Sequence, residues 1–395
     1  MALSLFVLLA CDPSQWDKPR TRRVVLIYAM AYNDLSPAIS EDIKELCEGD
    51  IPGARSTDVL LVYARHTAKY GDYKTPSAPV LYKAYRDNKG NVRRDTLTVY
   101  PDTDVSASPE VLNKVLTDVQ TKFPARSYGV VFTSHATGWI PSCYQYNKSD
   151  EDEIIWASAP RIQYPLTKSL GEEFPANSGT GIEIRDLADV IPMKLDFCLM
   201  DACLMGGVEV AYELKDKCDY LVCSPTEILS NGFIYTTMAG HLFAAGDADL
   251  RAVCEDVYNY YEAQSGIYRS CTITLVDCRK LEPLAGVCGD IIATHRQQLE
   301  STDRKTIQAY FYNRLHWYYD LRSIMRKIGA DEAQMARLES ALADCILYFG
   351  ATEKFFDLKL EDVCGLSMYF PYPDNQELND FYKPYAWNIA TGLIQ

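Results

Sequence analysis

Residues 195–207, LDFCLMDACLMGG, begin as a short apolar run and end in polar, nucleophilic and glycine residues. An apolar run of strand length that ends in this way is typical of a strand buried on both faces of a sheet. A similar run, Tyr128–Ser134, leads into His135. In an open parallel sheet, ligands bind beyond the carboxyl ends of the strands. The two runs therefore predict that Cys203 and His135 lie together at one edge of a sheet.

Other segments of the chain follow an alternation of predicted strands and helices. Arg23–Met30 and Asp58–Ala64 are apolar runs of strand length, and Ser36–Cys47 has apolar residues at the spacing of a helix. Val80–Tyr85 and Val92–Val99 alternate in polarity around a turn sequence, which indicates a hairpin. Buried strands that alternate with helices predict an α/β fold, a three-layer sandwich with a mainly parallel central sheet flanked by helices.

Four segments in the second half of the pattern carry more specific expectations. Leu204–Leu214 reads as a helix that starts directly after the cysteine. Residues 303–348 look helical throughout and are interpreted as a helical insertion, and Gly365–Phe370 reads as a late strand. Residues 141–181 are rich in Pro, Ser, Asp, Glu and Gly, and they are too long for a compact connection. We expect a mobile loop there.

The composition is that of a folded protein with an acidic surface. The chain has 395 residues, of which 48% are hydrophobic and 24% charged, and 39 basic against 54 acidic side chains give a net charge of −15. These values exclude disorder as the main state. The negative charge argues against nucleic acid as the main partner, because phosphate binding needs a basic surface.

The N-terminal residues read as a targeting segment. Met1–Ala10 is apolar but shorter than the ~20 residues that span a bilayer, which is typical of a signal peptide. Residues 8–11 (LLAC) resemble the lipobox of bacterial lipoproteins, in which the cysteine, here Cys11, carries the lipid. Residues 12–22 are polar and contain two prolines, as in a tether, and the folded domain is expected over residues 23–395. The pattern predicts an extracytoplasmic protein, lipid-anchored to a bacterial membrane.

The thirteen cysteines show no metal-binding pattern. No CxxC pair occurs, and the two pairs with C-x4-C spacing are not followed by ligands at zinc-like spacing. Cys198, Cys223 and Cys271 lie inside apolar runs, so we expect most of the thiols in the core. Export would permit some disulfides, which the sequence does not pair.

Cys203 and His135 form the minimal pair for acyl transfer through a thioester, in which a thiolate attacks a carbonyl and an imidazole moves the proton. A helix that begins at the cysteine would stabilise the thiolate through its dipole. Backbone N–H groups at such a turn would stabilise an oxyanion. The remaining histidines have no nucleophile paired with them by pattern and are interpreted as structural: His66, His241, His295 and His316.

The sequences around these two residues resemble a known family. Ser134–Trp139 (SHATGW) and Asp201–Met205 (DACLM) are similar to the His and Cys motifs of the clostripain family of cysteine peptidases. One difference is Ala136, where the family usually has Gly after the His. Further similar segments are Leu26–Tyr28, Asn33–Leu35, Asn231–Gly232 with Tyr235, and Gly365–Pro371.

The resemblance implies a fold and a mechanism. The fold is the caspase-like sandwich, and the catalytic pair is His135 with Cys203, without an obligatory third member. The oxyanion is held by the backbone N–H groups of Ala136 and Cys203. The activity is endopeptidase cleavage after Arg or Lys. Calcium is allowed by the resemblance alone, because no loop in the sequence has calcium-ligand spacing; from the residues themselves we expect no metal and no cofactor.

Two site interpretations remain open at this point. Asp201 either lines the pocket for a cationic substrate side chain, with which a carboxylate pairs well, or caps the helix that follows it. Asn231 stands near the position where an acid can line that pocket, which weakens the expectation of Arg or Lys specificity.

Relatives are often activated by cleavage between the His and Cys motifs, and Lys148 and Arg161 are the basic residues after which we expect this cleavage here.

The sequence therefore predicts a lipid-anchored cysteine endopeptidase whose partners are a protein or peptide substrate and the membrane. The alternative is a non-catalytic surface lipoprotein that uses the same sandwich as a binding module, since a fold alone does not determine a function. The presence of both His135 and Cys203 favours the enzyme.

The lipobox interpretation predicts that Cys11→Ala leaves an unlipidated precursor, because the thiol of that residue is the only acceptor for the lipid. Cys47→Ala, at the next cysteine along the chain, should leave lipidation unchanged. Intact-mass measurement of the membrane-extracted proteins makes the comparison. A mature wild-type chain that begins elsewhere and carries no lipid would contradict the interpretation.

Overall fold

The structure is a computed structural model that describes residues 20–69, 72–141, 181–310 and 317–395. Its strands are β1 Thr21–Ala31, β2 Asp58–Lys69, β3 Asp72–Pro76, β4 Val80–Arg86, β5 Val92–Val99, β6 Ala125–Thr133, β7 Leu195–Asp201, β8 Cys218–Cys223, β9 Thr272–Asp277, β10 Tyr319–Asp320, β11 Ile346–Ala351, β12 Lys354–Phe355, β13 Leu358–Lys359 and β14 Ser367–Met368. Its α-helices are α1 Ser36–Glu48, α2 Pro109–Lys122, α3 Ile184–Val190, α4 Val208–Leu214, α5 Tyr235–Leu242, α6 Leu250–Glu262, α7 Leu281–Thr294, α8 Arg296–Ser301, α9 Leu321–Lys327, α10 Glu332–Cys345, α11 Gln376–Tyr382 and α12 Ala386–Thr391.

A central sheet runs through the described residues in the order β11-β9-β8-β7-β6-β1-β2-β4-β5, with β3 beside β2. The five middle strands, β8 to β2, are parallel, and the strands at both edges are antiparallel. Helices cover the sheet, and the middle strands are almost completely buried. Continuous apolar runs suit strands that helices cover on both faces. The predicted α/β sandwich with its mainly parallel sheet is confirmed.

The register of three parallel strands brings their carboxyl ends to the same level. Thr133 on β6 pairs with Asp201 on β7, and Ala29 on β1 pairs with Thr133. His135 and Cys203 each follow two residues after this paired level. The sheet edge that the sequence predicted for the two residues is therefore the edge they share.

The helix expected over residues 204–214 begins later, at Val208. Leu204 has a φ of +61°, and its N–H binds the carbonyl oxygen of Thr226 at 2.9 Å. The N–H of Gly206 likewise binds the carbonyl oxygen of Ser224 at 2.8 Å. These bonds to the loop after β8 replace helical hydrogen bonds, and two glycines disfavour a helix in any case.

The continuous helix expected over residues 303–348 is wrong. Within it lie a short strand β10 and two helices, α9 and α10, and its last residues begin strand β11. Asp320 accepts a hydrogen bond from Ser323 N and starts α9, and Gly329, with a φ of +103°, follows the end of that helix. Strand β11 pairs with β9 at the edge of the central sheet. Pairing with distant strands overrides the local helical pattern.

Two smaller expectations also change. Of the late strand expected over residues 365–370, only β14 is a strand, and it pairs with β10 away from the central sheet. Strand β1 begins at Thr21, so the last two residues assigned to the tether belong to the sheet.

The C-terminal segment, residues 366–387, packs against the His loop after β6 and the Cys loop after β7. Ser367 N donates to the carbonyl oxygen of Gly206 at 2.9 Å. The indole ring of Trp139, four residues after His135, lies 4.6 Å from the ring of Tyr369 and 4.9 Å from the ring of Tyr382. Tyr385 donates its hydroxyl to the carbonyl oxygen of Trp139 at 2.9 Å. The segment therefore holds both the His loop and the Cys loop.

Glu209 on α4 connects the same segment to the helix after the cysteine. Its Oε1 accepts hydrogen bonds from Tyr369 N at 2.8 Å and from the Tyr382 hydroxyl at 2.7 Å. Its Oε2 is buried and has no hydrogen-bond partner in the part of the chain that the structure describes. Burial, which the two hydrogen bonds only partly offset, raises the pKa of Glu209 from the ordinary value of 4.5 to about 7.

We expect Glu209 to make the folded state less stable as the pH rises from about 4.5 through 7, because over that range the folded chain holds a proton that the unfolded chain has released. The stabilisation is complete below this range and is lost above it, and its size is on the order of 1–3 kcal/mol. Glu209→Gln removes the titration. Denaturant unfolding of both chains at about pH 5 and pH 8 tests this. A difference in unfolding free energy between the chains that does not change with pH would contradict it.

Candidate active site

Cys203 follows the carboxyl end of β7 and is completely buried. The left-handed backbone of Leu204, directly after it, is rare for a residue with a branched side chain and is retained only where the surroundings enforce it. Here the hydrogen bonds of Leu204 and Gly206 to the loop after β8 supply that constraint. The backbone of the cysteine is thus fixed from both sides.

The thiol of Cys203 is closed off by one residue of the loop after β8. Its Sγ accepts a hydrogen bond from Ile228 N at 3.0 Å and donates to the carbonyl oxygen of Ile228 at 3.6 Å. Cys203 is completely buried in this arrangement, so its sulfur is not accessible to a substrate carbonyl group. Because α4 begins only at Val208, the expectation that a helix dipole acts directly on this thiol is wrong.

His135 follows the carboxyl end of β6, and its loop packs on the Cys loop. Ser134 donates its hydroxyl to the carbonyl oxygen of Met30 at 3.0 Å, and the Tyr318 hydroxyl donates to the carbonyl oxygen of Thr137. Gly138 has a φ of +60°, and a Cβ atom there would lie 2.5 Å from the carbonyl oxygen of Leu204. This close approach of two backbones holds the His and Cys loops in direct contact.

The imidazole of His135 has a carboxylate partner that the sequence analysis did not identify. Its Nε2 lies 2.6 Å from Oδ1 of Asp34, in the turn between β1 and α1. Its Nδ1 is buried and has no hydrogen-bond partner among the described residues. The hydrogen bond from His135 holds the pKa of Asp34 below its usual range. The sequence held one indication of this contact: Asp34 follows shortly after β1, and β1 is the parallel neighbour of β6.

Asp201, the last residue of β7, is completely buried. Its Oδ2 accepts hydrogen bonds from the Thr133 hydroxyl at 3.2 Å and from the Tyr235 hydroxyl at 2.8 Å. The N-cap residue of α4 is Gly207, so the interpretation of Asp201 as the cap of that helix is wrong. Its role in binding a cationic substrate side chain stays a prediction.

The other described histidines have partners away from Cys203. His66 lies 3.3 Å from the hydroxyl of Ser40, and burial lowers its pKa to about 4. His241 binds Asp256 at 2.9 Å, and His295 lies 2.9 Å from the side-chain oxygen of Gln334. The remaining candidates lie outside the described residues: Cys11, Lys148, Arg161 and His316.

The eleven cysteines within the described ranges are all buried, as expected for core thiols. In the same ranges no group of three or more His, Cys, Asp or Glu side chains is arranged to hold a metal ion. None of the described helices combines the length and apolarity that spanning a bilayer requires.

Comparison with known proteins agrees with this geometry. Residues 27–389 match the model of the clostripain family. The chain belongs to the clostripain family. Clostripain of Hathewaya histolytica is 24% identical over 254 residues, which cover 59% of this chain and 44% of that protein. The chain therefore spans less than half the length of this curated relative.

Solved structures of family members resemble nearly the whole chain. One is an inactive zymogen of a C11 protease from Parabacteroides distasonis, with 28% identity, a TM-score of 0.75 and coverage of 93% of this chain and 97% of that one. Another is a secreted C11 cysteine protease from Bacteroides thetaiotaomicron in complex with an irreversible peptide inhibitor, with 25% identity, a TM-score of 0.73 and coverage of 94% and 98%. The caspase-like sandwich of the clostripain family thus accounts for the described fold.

Contact between the His and Cys loops makes Gly138 sensitive to substitution. Gly138→Ala should reduce the free energy of unfolding by about 2–4 kcal/mol, because a Cβ atom adds both left-handed strain and overlap with Leu204. Gly90→Ala is the matched control: its φ is +82°, but a Cβ atom there meets nothing within 4 Å. We expect the control to lose only about 1–2 kcal/mol. Equal losses in denaturant unfolding would show that the two loops are not in close contact.

Proposed function

We propose that this chain is a cysteine endopeptidase in which Cys203 is the nucleophile and His135 moves the proton. The observation that carries the proposal is the paired level of Thr133 and Asp201, from which the two reactive residues each follow by two positions. Membership of the clostripain family supports the reaction class. The similar protease that binds an irreversible peptide inhibitor supports a peptide as the substrate.

In the proposed reaction, His135 takes the proton of the Cys203 thiol, and the sulfur attacks the scissile carbonyl carbon. The carbonyl oxygen becomes an oxyanion, for which the backbone N–H groups of Ala136 and Cys203 are the proposed donors. Collapse breaks the C–N bond, His135 gives its proton to the leaving amine, and a thioester remains. Water, deprotonated by the same imidazole, then hydrolyses the thioester and regenerates the thiol.

The closed thiol indicates that this conformation precedes substrate binding. Ile228 contacts the sulfur through both its N–H and its carbonyl oxygen, and Cys203 is completely buried, so we expect the loop after β8 to move before a peptide carbonyl reaches it. Similarity to an inactive zymogen fits a resting form of this kind. We therefore propose that opening at Ile228 is part of activation or of substrate binding.

Substrate preference and location follow from the sequence and are proposed in the same way. Cleavage after Arg or Lys, with Asp201 contributing negative charge near the site, is the proposed specificity. Anchoring through Cys11 on the outer side of a bacterial membrane is the proposed location. Among the similar proteins, one is described as secreted, which supports an extracytoplasmic setting.

Cys203→Ala and His135→Ala should each reduce turnover by at least ~1000-fold while the fold remains intact, because a nucleophile and its base act as a unit. Cys288→Ala and His241→Ala are matched controls, since both lie in helices away from the sheet edge. A panel of fluorogenic peptides with varied P1 residues measures activity and specificity together. Near-wild-type turnover in either site variant would exclude the catalytic pair, and wild type without activity on any peptide would favour a binding protein.

We also expect cleavage after Lys148 or Arg161 to raise activity. Wild type and Cys203→Ala are incubated and compared on a denaturing gel, together with Lys148→Ala and Arg161→Ala. Self-processing predicts two fragments from wild type, an intact Cys203→Ala chain, and lost or shifted cleavage in one lysine or arginine variant. A fully active wild type that stays intact would contradict activation by cleavage, and equal cutting of wild type and Cys203→Ala would reveal a contaminating protease.

A further inference from the structure

We propose that Asp34 is the positioning residue of the active site: it keeps the proton of neutral His135 on Nε2, so that Nδ1 exchanges the proton with Cys203. The proposal rests on the proposed peptidase function and adds a third residue to it. In a His–Cys pair alone, nothing fixes which of the two imidazole nitrogens carries the proton. His135, Cys203 and Asp34 would then act together as a catalytic triad.

The tautomer follows from the contact between the two side chains. Oδ1 of Asp34 lies 2.6 Å from Nε2 of His135, and an ionised carboxylate only accepts hydrogen bonds. Nε2 must therefore carry a proton, and in the neutral ring the lone pair is on Nδ1. That atom is buried and has no hydrogen-bond partner among the described residues. It is the nitrogen that is available as a base.

Main-chain geometry places Asp34 at the histidine. Strands β1 and β6 are parallel neighbours, with Ala29 paired to Thr133. The carbonyl oxygen of Met30 accepts hydrogen bonds from Asn33 Nδ2 and from the Ser134 hydroxyl, both at 3.0 Å. One backbone oxygen thus anchors the residue before Asp34 and the residue before His135.

The turn itself is also fixed. Asn33 Oδ1 accepts from Leu35 N at 3.0 Å, which is the side-chain-to-backbone bond of an Asx turn. Asn33 is buried, and Asp34 projects from this turn with its side chain 59% exposed. The position of Asp34 is therefore specified by the backbone and not by packing of its own side chain.

The charge of Asp34 suits the same role. The hydrogen bond from His135 lowers the pKa of Asp34, and so do the backbone N–H groups of residues 34 and 35, which keeps the carboxylate ionised at neutral pH. An imidazolium formed when Cys203 gives up its proton would be stabilised by this negative charge. The exposure of Asp34 screens the charge, so we expect a smaller effect than for a buried triad carboxylate.

Other titratable groups around Cys203 come from different elements. Cys203 follows β7, Glu227 follows β8, and Tyr318 precedes β10, with electrostatic interactions linking Tyr318 to both. None of these residues changes in variants at position 34. Changes in a pH profile between such variants therefore report on Asp34 and the imidazole that it contacts.

Two substitutions distinguish positioning from a merely structural role. In Asp34→Asn, the backbone N–H groups of residues 34 and 35 favour the amide oxygen, so the amide N–H faces Nε2 and stabilises the tautomer with the proton on Nδ1. That tautomer cannot accept the thiol proton. Asp34→Ala leaves Nε2 to water, which permits both tautomers. Positioning thus predicts that Asn is more harmful than Ala, whereas a structural role predicts that the isosteric Asn is milder.

The experiment measures kcat and KM on a fluorogenic peptide from about pH 6 to pH 10 for wild type, Asp34→Asn, Asp34→Ala and Cys203→Ala. Glu41→Gln on α1 is the charge-matched control, since Glu41 is an exposed carboxylate paired with Lys44. All chains are brought to the same extent of cleavage on a gel, and thermal unfolding verifies that they are folded. We expect Asp34→Asn to lower kcat by about 10- to 100-fold at neutral pH, with KM nearly unchanged. The loss should shrink toward the alkaline end of the range, because removal of the thiol proton then depends less on the imidazole.

The possible results separate this proposal from the proposed function. An inactive wild type, or a Cys203→Ala chain as active as wild type, would overturn the peptidase function itself. An active wild type and an inactive Cys203→Ala, with Asp34→Asn equal to Glu41→Gln, would overturn the role of Asp34 alone. A loss in Asp34→Ala that exceeds the loss in Asp34→Asn would also overturn it in favour of a structural role. A loss in Asp34→Asn that is greater than in Asp34→Ala and recovers at high pH supports it.

Discussion

The parallel register of β1, β6 and β7 is the constraint on which the site depends. Ala29, Thr133 and Asp201 lie side by side across these strands, so the chain leaves all three strands at the same level. A shift of one residue in either pairing would move a reactive side chain by about 3 Å along the strand and turn it to the other face of the sheet. Backbone hydrogen bonds between buried strands therefore set the distances on which the proposed chemistry relies.

The loops beyond these strands are held by backbone contacts more than by their own side chains. Gly138 approaches the carbonyl oxygen of Leu204, and Gly206 binds both the loop after β8 and Ser367 of the C-terminal segment. The rings around Trp139 complete this support. The C-terminal residues thus stabilise the site although they contribute none of its proposed reactive groups. A site supported in this way stays organised even while the thiol of Cys203 is closed off by Ile228.

Closure of the thiol depends on weak interactions. Ile228 contacts the Cys203 sulfur through its own N–H and carbonyl oxygen, and hydrogen bonds in proteins are typically worth about 1 kcal/mol net. The conformation described here is therefore compatible with a nucleophile that is protected at rest and exposed when the loop after β8 moves.

The sequence by itself determined the sandwich, the order of its central strands along the chain, and the position of His135 and Cys203 at one edge of the sheet, because continuous apolar runs and their polar ends are local patterns. It also identified the motifs that carry the family resemblance. The start of α4 at Val208, the broken segment over residues 303–348, the closure by Ile228 and the contact of Asp34 with His135 were decided by the tertiary structure. Each depends on a partner far away in the chain, such as the loop after β8 or strand β9. Local propensity contains no information about such partners.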